Sequence, residues 1–423
     1  MKPIVAIVGR PNVGKSTLFN RLIKEKVSIT YKEPGVTRDR VYRETSWMGK
    51  RFILVDTGGL IPSASDSLLQ AIRSQVEVAL NQADVILFMV DAKEGLSPLD
   101  EEIARLLYKR GCILVVNKMD TKEGKANLSD FYRLGIERIF PISAEHGSGV
   151  IELLEEIIER IPKPSEEEDK DIARFVILGR PNVGKSSLLN AILGEERVIV
   201  DKTPGTTREP VETSFTINGK KYRIVDTAGI RRKARVKAEV EYFSILRAIR
   251  NIERSDVALL MIDAKEGITT QDKKIASLVE DRGKGLVVIA NKSDLLTKDE
   301  LKNLRREFYL RAPFLNYVPV VLTSAINGRG IRETLRTVEL VFSEANKRVD
   351  KSLLEDTILP EIEHYPSRLK VSSISQVGIR PPTFVLRVKG RDSISENYIK
   401  FIKNTLRKYF GFQGNPIRVR FKF

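Results

Sequence analysis

The sequence predicts an α/β protein: two copies of a mostly parallel sheet with helices on both faces, followed by a small α+β domain. Three observations lead there. The octapeptide GRPNVGKS occurs twice, at Gly9–Ser16 and at Gly179–Ser186. Short apolar runs alternate with amphipathic helical patterns through both halves, as expected of strands buried on both faces. The last part of the chain then becomes strongly basic. The expected bounds are 1–160 for the first copy, 161–171 for an acidic linker, 172–345 for the second copy and 346–423 for the basic domain.

A chain of 423 residues suits two to four domains of ~100–200 residues each. With 42% hydrophobic and 30% charged residues it can build real cores. The opening MKPIVAIVGR runs straight into the glycine loop and reads as a buried strand rather than a signal peptide. No run approaches the ~20 apolar residues of a membrane span, so no membrane partner is expected. The single cysteine, Cys112, sits in the apolar run CILVV and is expected in the core. One cysteine allows no internal disulfide, which fits a reducing cytoplasm.

The strands of the first copy are expected at IVAIV, FILVD, DVILFMV, CILVVN and RIFPI, and those of the second at RFVIL, YRIVD, DVALLMI, GLVVIAN and VPVVL. Trp47, Phe52, Phe215 and Tyr222 fall at strand positions and read as core. An offset of 170 residues lays Pro34–Arg38 over Pro204–Arg208, and Asp56-Thr57-Gly58-Gly59 over Asp226-Thr227-Ala228-Gly229. The offset then drifts, and Asn117-Lys118-Met119-Asp120 answers Asn291-Lys292-Ser293-Asp294, as Ser143-Ala144 answers Ser324-Ala325. Five motifs in one order, twice, mark a duplicated domain. Between the copies, IPKPSEEEDK carries two prolines and a run of acids, a self-repelling linker. After a helical pattern near 343–356, the tail reads as helix, strand at 369–377, strand at 383–388, helix at 393–409 and strand at 416–423. Residues 366–423 hold thirteen Lys and Arg against Asp392 and Glu396, about two-thirds of the net +16. A terminal domain so basic points to a polyanion.

The loop GxxxxGKS between a strand and a helix is a phosphate cradle. Its glycines let backbone N–H groups close on phosphate oxygens at a helix N-terminus. Gly9, Asn12, Val13, Gly14, Lys15, Ser16 and Thr17 would form it in the first copy. Gly179, Asn182, Val183, Gly184, Lys185, Ser186 and Ser187 would form it in the second. Lys15 and Lys185 would reach the β- and γ-phosphates, while Ser16 and Ser186 would hold Mg²⁺. Asp56 and Asp226 would support the metal through water, and Gly59 and Gly229 would meet the γ-phosphate through the backbone. Thr37 and Thr207 sit in polar loops that would close on Mg²⁺ only with triphosphate present, as switches do. Lys15, Lys185, Thr37 and Thr207 are the residues expected in catalysis.

NKxD chooses the base. Asp120 and Asp294 can accept from guanine N1–H and its 2-amine together, whereas adenine would leave them unpaired. Asn117 and Asn291 would meet the other edge. Lys118 and Lys292 would lie over the ring, and the N–H groups of Ala144 and Ala325, beside Ser143 and Ser324, would reach O6. The ligand is GTP or GDP at two P-loop GTPase domains.

Tandem GRPNVGKS–PGxTR–DTxG–NKxD–SA domains followed by a small basic domain resemble the Der (EngA) family of bacterial GTPases over essentially the whole chain. The resemblance implies a cytoplasmic GTPase of large-ribosomal-subunit assembly, with the large subunit and its RNA as partners and a KH-like tail; a monomer is expected. Gly411-Phe412-Gln413-Gly414 has the GxxG letters of an RNA clamp but follows the last helix, and is read as a helix-end turn. Direct RNA contact by the tail and packing of the tail on a GTPase domain both stay open. IRRKARVK at 230–237 puts five basic residues in a switch region, a candidate nucleotide-gated RNA contact. His146 and His364 have no metal-ligand spacing around them and are assigned no chemistry.

Many GTPases follow DTxG with a glutamine that positions water; Leu60 and Ile230 stand there and cannot. Hydrolysis is therefore expected to be slow or to use another route. Resemblance to potassium-dependent GTPases implies that Asn12 and Asn182 help hold K⁺ beside the phosphates. Arg10 and Arg180 are then expected to face solvent.

Overall fold

The computed structural model describes residues 2–24, 42–60, 68–108, 110–162, 172–194, 199–200, 212–217, 219–225, 240–365, 370–389 and 394–423. The chain forms two compact units, Met1–Glu167 with Val236–Arg250, and Glu168–Arg235 with Asn251–Phe423.

The first unit is organised by a six-stranded sheet. Its strands are β1 (Ile4–Val8), β2 (Tyr42–Trp47), β3 (Lys50–Asp56), β4 (Val85–Asp91), β5 (Ile113–Asn117) and β6 (Ile139–Pro141), in the order β2-β3-β1-β4-β5-β6. β1 lies in the middle, parallel to β3 and β4. β1, β4 and β5 are buried along their whole length, as their unbroken apolar runs require. Helices Lys15–Lys24 and Val150–Arg160 pack their apolar sides on one sheet face; Leu18, Leu22, Leu153 and Ile157 join Val5, Ile7 and Val115 there.

The second unit repeats the plan with seven strands: β7 (Ala173–Leu178), β8 (Ile199–Val200), β9 (Thr213–Ile217), β10 (Lys220–Val225), β11 (Val257–Asp263), β12 (Gly285–Asn291) and β13 (Val320–Leu322). The order is β13-β12-β11-β7-β10-β9-β8. The ten expected strands are present. β2, β8 and β9 are additions, all antiparallel. β2, an edge strand, carries four polar residues in a row, and β9, between β10 and the short edge strand β8, is rich in Thr and Ser; both are only half-buried, so no apolar run announces them. Phe52, Phe215 and Tyr222 are core, while Trp47 is partly buried against it. Cys112 is buried, and burial pushes its thiol up to about 12.

The tail is a three-stranded sheet, β14 (Lys370–Gly378), β15 (Thr383–Lys389) and β16 (Arg418–Lys422), in that order. Helices Lys351–Glu363 and Glu396–Phe410 cover one face, with Ile358, Tyr398, Ile402 and Leu406 against Phe384, Leu386 and Phe421. The helical pattern near 343–356 is two helices, Ile331–Asn346 and Lys351–Glu363, because Asp350 caps the second through Ser352 N and breaks the run.

The tail packs on the second GTPase-like body, which answers one of the two open alternatives. Gly411 closes helix Glu396–Phe410, and the turn after it docks. Gly414 O accepts from Leu286 N at 2.8 Å and Gly414 N donates to Tyr317 O at 2.8 Å. Asn415 Nδ2 donates to Val341 O at 2.8 Å, and the Arg407 guanidinium lies 3.8 Å from the Tyr317 ring centre. The GxxG letters are thus a helix-end turn, spent on an intramolecular contact.

Candidate functional site: two matching phosphate and guanine cradles

Both sites lie where the parallel strands end. In the first, the loop from β1 to helix Lys15–Lys24 holds Gly9 at φ +151° and Gly14 at φ +101°. A Cβ on Gly9 would lie 2.2 Å from Met89 O, and one on Gly14 would lie 2.3 Å from Asn117 Nδ2. Gly179 and Gly184 repeat this, with 2.4 Å to Met261 O and 2.4 Å to Asn291 Nδ2. Only glycine fits a positive φ with a neighbour so near.

Lys15 Nζ donates to Gly9 O at 2.8 Å and Arg10 O at 2.6 Å; Lys185 Nζ donates to Gly179 O at 2.8 Å and Arg180 O at 2.6 Å. Each ammonium is curled under its own loop. Burial lowers both lysines, Lys15 to about 8 although Asp56 opposes the shift. A buried cation with a depressed pKa gains when an anion arrives. Ser16 Oγ donates to Asp56 Oδ2 at 2.6 Å, and Gly58 N donates to Asp56 Oδ1 at 2.9 Å. Thr57 Oγ1 ties the turn to β1 through Ile7 O at 2.7 Å, with Gly59 in the same 3₁₀ turn, Thr57–Leu60. Ser186, Thr17 and Ser187 open the helices as expected. Thr37, Thr207, Asp226, Gly229, Ile230 and the basic run at 231–237 lie outside the described residues.

The guanine side is as closely matched. Asn117 Nδ2 donates to Val13 O at 2.9 Å and its Oδ1 accepts from Ala144 N at 2.8 Å. Asn291 does the same with Val183 O at 2.9 Å and Ala325 N at 3.0 Å. These two asparagines thus pin the phosphate loop to the SA loop. Asp120 and Asp294 are exposed at the rim. The Ser143 hydroxyl, first among several contacts, holds Asp120 below the usual carboxylate range. His146 Nε2 lies 3.7 Å from Asp120 Oδ2. Lys118 and Lys292 are in the left-handed region, at φ +66° and +63°.

The lysines' partners were missed in the sequence. Lys118 pairs with Asp91, and Lys292 Nζ lies 2.7 Å from Asp263 Oδ2. Asp91 and Asp263 close β4 and β11 in register with Asn117 and Asn291. The signal was available, since DAKEG occurs at 91–95 and again at 263–267.

One expectation is corrected. Arg10 and Arg180 do not face solvent; their side chains are 12% and 20% exposed. Arg10 Nε donates to Asp100 Oδ1 at 2.8 Å and Arg180 Nε lies 3.2 Å from Asp272 Oδ1, with Glu94 and Glu266 alongside. Asp100 and Asp272 are buried at the third position of capping boxes begun by Ser97 and Thr269, so each helix start offers a carboxylate that needs a cation. Asn12 and Asn182, at φ +65° and +64°, keep exposed side chains with no hydrogen-bond partner among the described residues.

Comparison with known proteins agrees with this geometry. The model of the 50S ribosome-binding GTPase family matches residues 4–118 and again 174–292. Residues 348–422 match the KH-domain-like C-terminal domain of EngA bacterial GTPase enzymes. The chain is 48% identical to the GTPase Der of Thermoanaerobacter sp. over 433 aligned residues, covering 99% of this chain and 98% of that one. It is 46% identical to the GTPase Der of Caldanaerobacter subterraneus, covering 100% of this chain and 98% of the relative. Among solved structures, Era from Aquifex aeolicus bound to GDP and AlF₄⁻ matches 59% of this chain and 92% of its own, at 22% identity and a TM-score of 0.32. This chain is a GTPase that binds and hydrolyses GTP. Its two P-loop domains and KH-like tail place it in the Der (EngA) family of bacterial GTPases.

Proposed function

We propose that the chain is a double GTP switch acting in the cytoplasm, as a monomer, in assembly of the large ribosomal subunit. The observation that carries this is the same anion cradle built twice, each with a lysine held by its own loop carbonyls, in a chain whose P-loop domains match a family described as 50S ribosome-binding. Among the described residues no helix is long and apolar enough to cross a membrane.

Each site acts by position and charge. Lys15 and Lys185 leave their loop carbonyls for the β- and γ-oxygens, and the backbone N–H groups of Val13, Gly14, Val183 and Gly184 fix the phosphates. The Ser16–Asp56 pair offers two hard oxygens side by side, and no cluster of three carboxylates or histidines occurs among the described residues. Such a donor set suits Mg²⁺ carried in with the nucleotide and its waters. Ser16, Thr37 and Asp56, and Ser186, Thr207 and Asp226, would hold it. When bound it neutralises phosphate charge. The free carbonyls of Asn12 and Asn182 suit K⁺, which would add positive charge where other GTPases supply an arginine. With Leu60 and Ile230 in the glutamine's place, turnover is slow. Thr37 and Thr207 would close each site only over a triphosphate.

Co-sedimentation of the full chain with large subunits and their precursors, loaded with GTP or GDP, tests the reading. Association with large particles that follows the nucleotide supports it; association independent of nucleotide, or with small subunits alone, overturns it. Turnover in KCl should exceed that in NaCl at matched ionic strength, and equal rates would remove the potassium ion.

A further inference from the structure

We propose that the repeated turn DAKEG, at 91–95 and at 263–267, is a working part of each nucleotide site: Asp91 and Asp263 are positioning residues that hold the guanine-covering lysine at a set place beside the phosphate loop. This deepens the nucleotide reading above and rests on the placing of Lys118 and Lys292 over the ring. Each turn begins at the last residue of a buried strand, β4 or β11. The aspartate there divides its two oxygens between two tasks. Asp91 Oδ1 accepts from Lys93 N at 2.9 Å and Glu94 N at 3.3 Å, which closes the turn, while Oδ2 takes the Lys118 ammonium. Asp263 Oδ1 accepts from Lys265 N at 2.9 Å, and its Oδ2 from Lys292 Nζ at 2.7 Å.

Two details separate this from a chance surface ion pair. Asp91 and Asp263 are both buried, and a buried carboxylate requires a cation. Lys93 and Lys265, two residues on, stay exposed, and the cation comes instead from NKxD on the neighbouring strand. Although burial works against it, the Lys292 ammonium and the Lys265 N–H hold the Asp263 carboxyl below the usual carboxylate range. Each lysine also meets its carboxylate from the left-handed region, where a residue other than glycine is strained and is kept only by its surroundings. The same strain recurs in both copies with the same partner.

The far end of the turn reaches the phosphate side. Arg10 Nη1 donates to Glu94 Oε2 at 3.2 Å and Arg180 Nη2 to Glu266 Oε2 at 2.7 Å, and the carbonyls of the same two arginines hold Lys15 and Lys185. Ala92 N donates to Asn117 O at 2.9 Å and Ala264 N to Asn291 O at 2.8 Å, which keeps the turn in step with NKxD. One short turn thus spans the base-side lysine and the phosphate-loop arginine. A lysine stem that lies over a ring must give up rotamer freedom. The carboxylate fixes the ammonium before nucleotide arrives, so that loss falls on folding rather than on binding. The ring is the same in GDP and GTP, so the turn sets affinity and leaves the chemical step alone.

Asp91→Asn is the test, because the amide oxygen can still close the turn while the amide nitrogen repels the ammonium. Calorimetric titration of the full chain with GDP, inosine diphosphate and inorganic tripolyphosphate uses the second copy as the control. Affinity in the first copy should fall about 3–10-fold for both purine nucleotides, part of what a charge-assisted bond contributes, and stay within about twofold for tripolyphosphate, which has no ring. Single-turnover hydrolysis at saturating GTP should keep its rate. In the Lys118→Met background Asp91→Asn should add no further loss, since no ammonium is left to hold. Asp263→Asn repeats the measurement in the second copy, so the outcome does not hang on one variant's folding. Equal losses for tripolyphosphate and GDP would reduce Asp91 to a structural turn residue. Additive losses with Lys118→Met, a slowed single turnover, or undiminished GDP affinity would also overturn the positioning role. Unchanged purine affinity in Lys118→Met alone would bring down the placing of that lysine over guanine as well.

Discussion

The two GTPase copies hold the nucleotide side of the site alike and its outer support differently. Loop glycines, curled lysines and the Asn117 and Asn291 links match to within a few tenths of an ångström. Behind the SA loop the copies part. In the first, Arg21 reaches across to the carbonyls of Ala144 and Glu145, and Ser143 Oγ accepts from His146 N at 3.2 Å. In the second, Ala191 occupies the place of Arg21, Thr323 Oγ1 donates to Asn291 Oδ1 at 3.2 Å, and Ser324 bridges to Arg329 through main-chain bonds. Ser324 Oγ is buried without a partner among the described residues. Groups that must meet phosphate and guanine are fixed by the ligand's shape. Groups that merely brace a loop can be replaced by any set of bonds with the same result.

Substituting Gly14 or Gly184 should produce the largest effect and should treat the copies alike. An alanine at φ +101° or +102° strains the backbone by about 1–3 kcal/mol, and its methyl would collide with the buried asparagine. Gly14→Ala should weaken nucleotide binding in the first copy by roughly 100-fold or more, leaving the second intact as an internal control in calorimetric titration. A tenfold or smaller loss would show that the loop can shift, and would loosen the claim of a shared rigid cradle.

Protonation of Lys15 comes next. Its pKa near 8 in the empty site means that the ammonium sheds its proton as pH rises past 8, and phosphate must restore it. The complex then holds more protons than the free site, so affinity in the first copy should fall about tenfold per pH unit above 8 and be level below 7. The sign reverses for stability. Between about 8 and the ordinary 10.5 the unfolded chain binds the extra proton, so the empty domain gains stability as pH rises. Nucleotide dissociation constants from pH 6.5 to 9.5 decide it, and a flat profile would contradict the buried, charged lysine.

Removing the braces should have smaller, asymmetric effects. Arg21→Ala should speed GDP release from the first copy by about 3–10-fold, since a charge-assisted bond contributes ~1.5–3 kcal/mol and only part reaches the base. Thr323→Val should speed it from the second by about 2–5-fold, the scale of one neutral hydrogen bond. Stopped-flow release of a fluorescent GDP measures both. If each change altered both copies equally, the division between fixed contacts and replaceable braces would fail.

Much of this was legible beforehand, for stated reasons. Buried parallel strands advertise themselves as apolar runs, and loops that hold phosphate are restricted to glycine, lysine and serine at set spacings. The strands at 42–47 and 213–217 were only half visible: Trp47 and Phe215 were placed at strand positions, but half-burial leaves no apolar run to mark the rest. Arg10 was expected to face solvent because an inward arginine would repel a potassium ion, whereas its partner Asp100 is 90 residues away and meets it only through folding. The repeated DAKEG carried Asp91 and Asp263 in plain view, but a carboxylate bound to a lysine has no distinctive spacing. The break at 347–350 turned on one capping aspartate inside a continuous helical pattern.

The docked turn at the end of the tail has a consequence for how the gene can be cut. Gly414 supplies a main-chain acceptor to Leu286 at the start of β12 and a donor to Tyr317, and Asn415 satisfies the Val341 carbonyl. A truncation after residue 346 would strip these partners from inside the second GTPase body and bare the apolar side of Val341. Such a fragment should come out of cells as inclusion bodies, while a fragment spanning 172–423 should be soluble and melt in a single transition. What looks like a removable appendage in the sequence is the last course of masonry in the preceding domain, so recombination that swapped tails alone would break the domain it left behind.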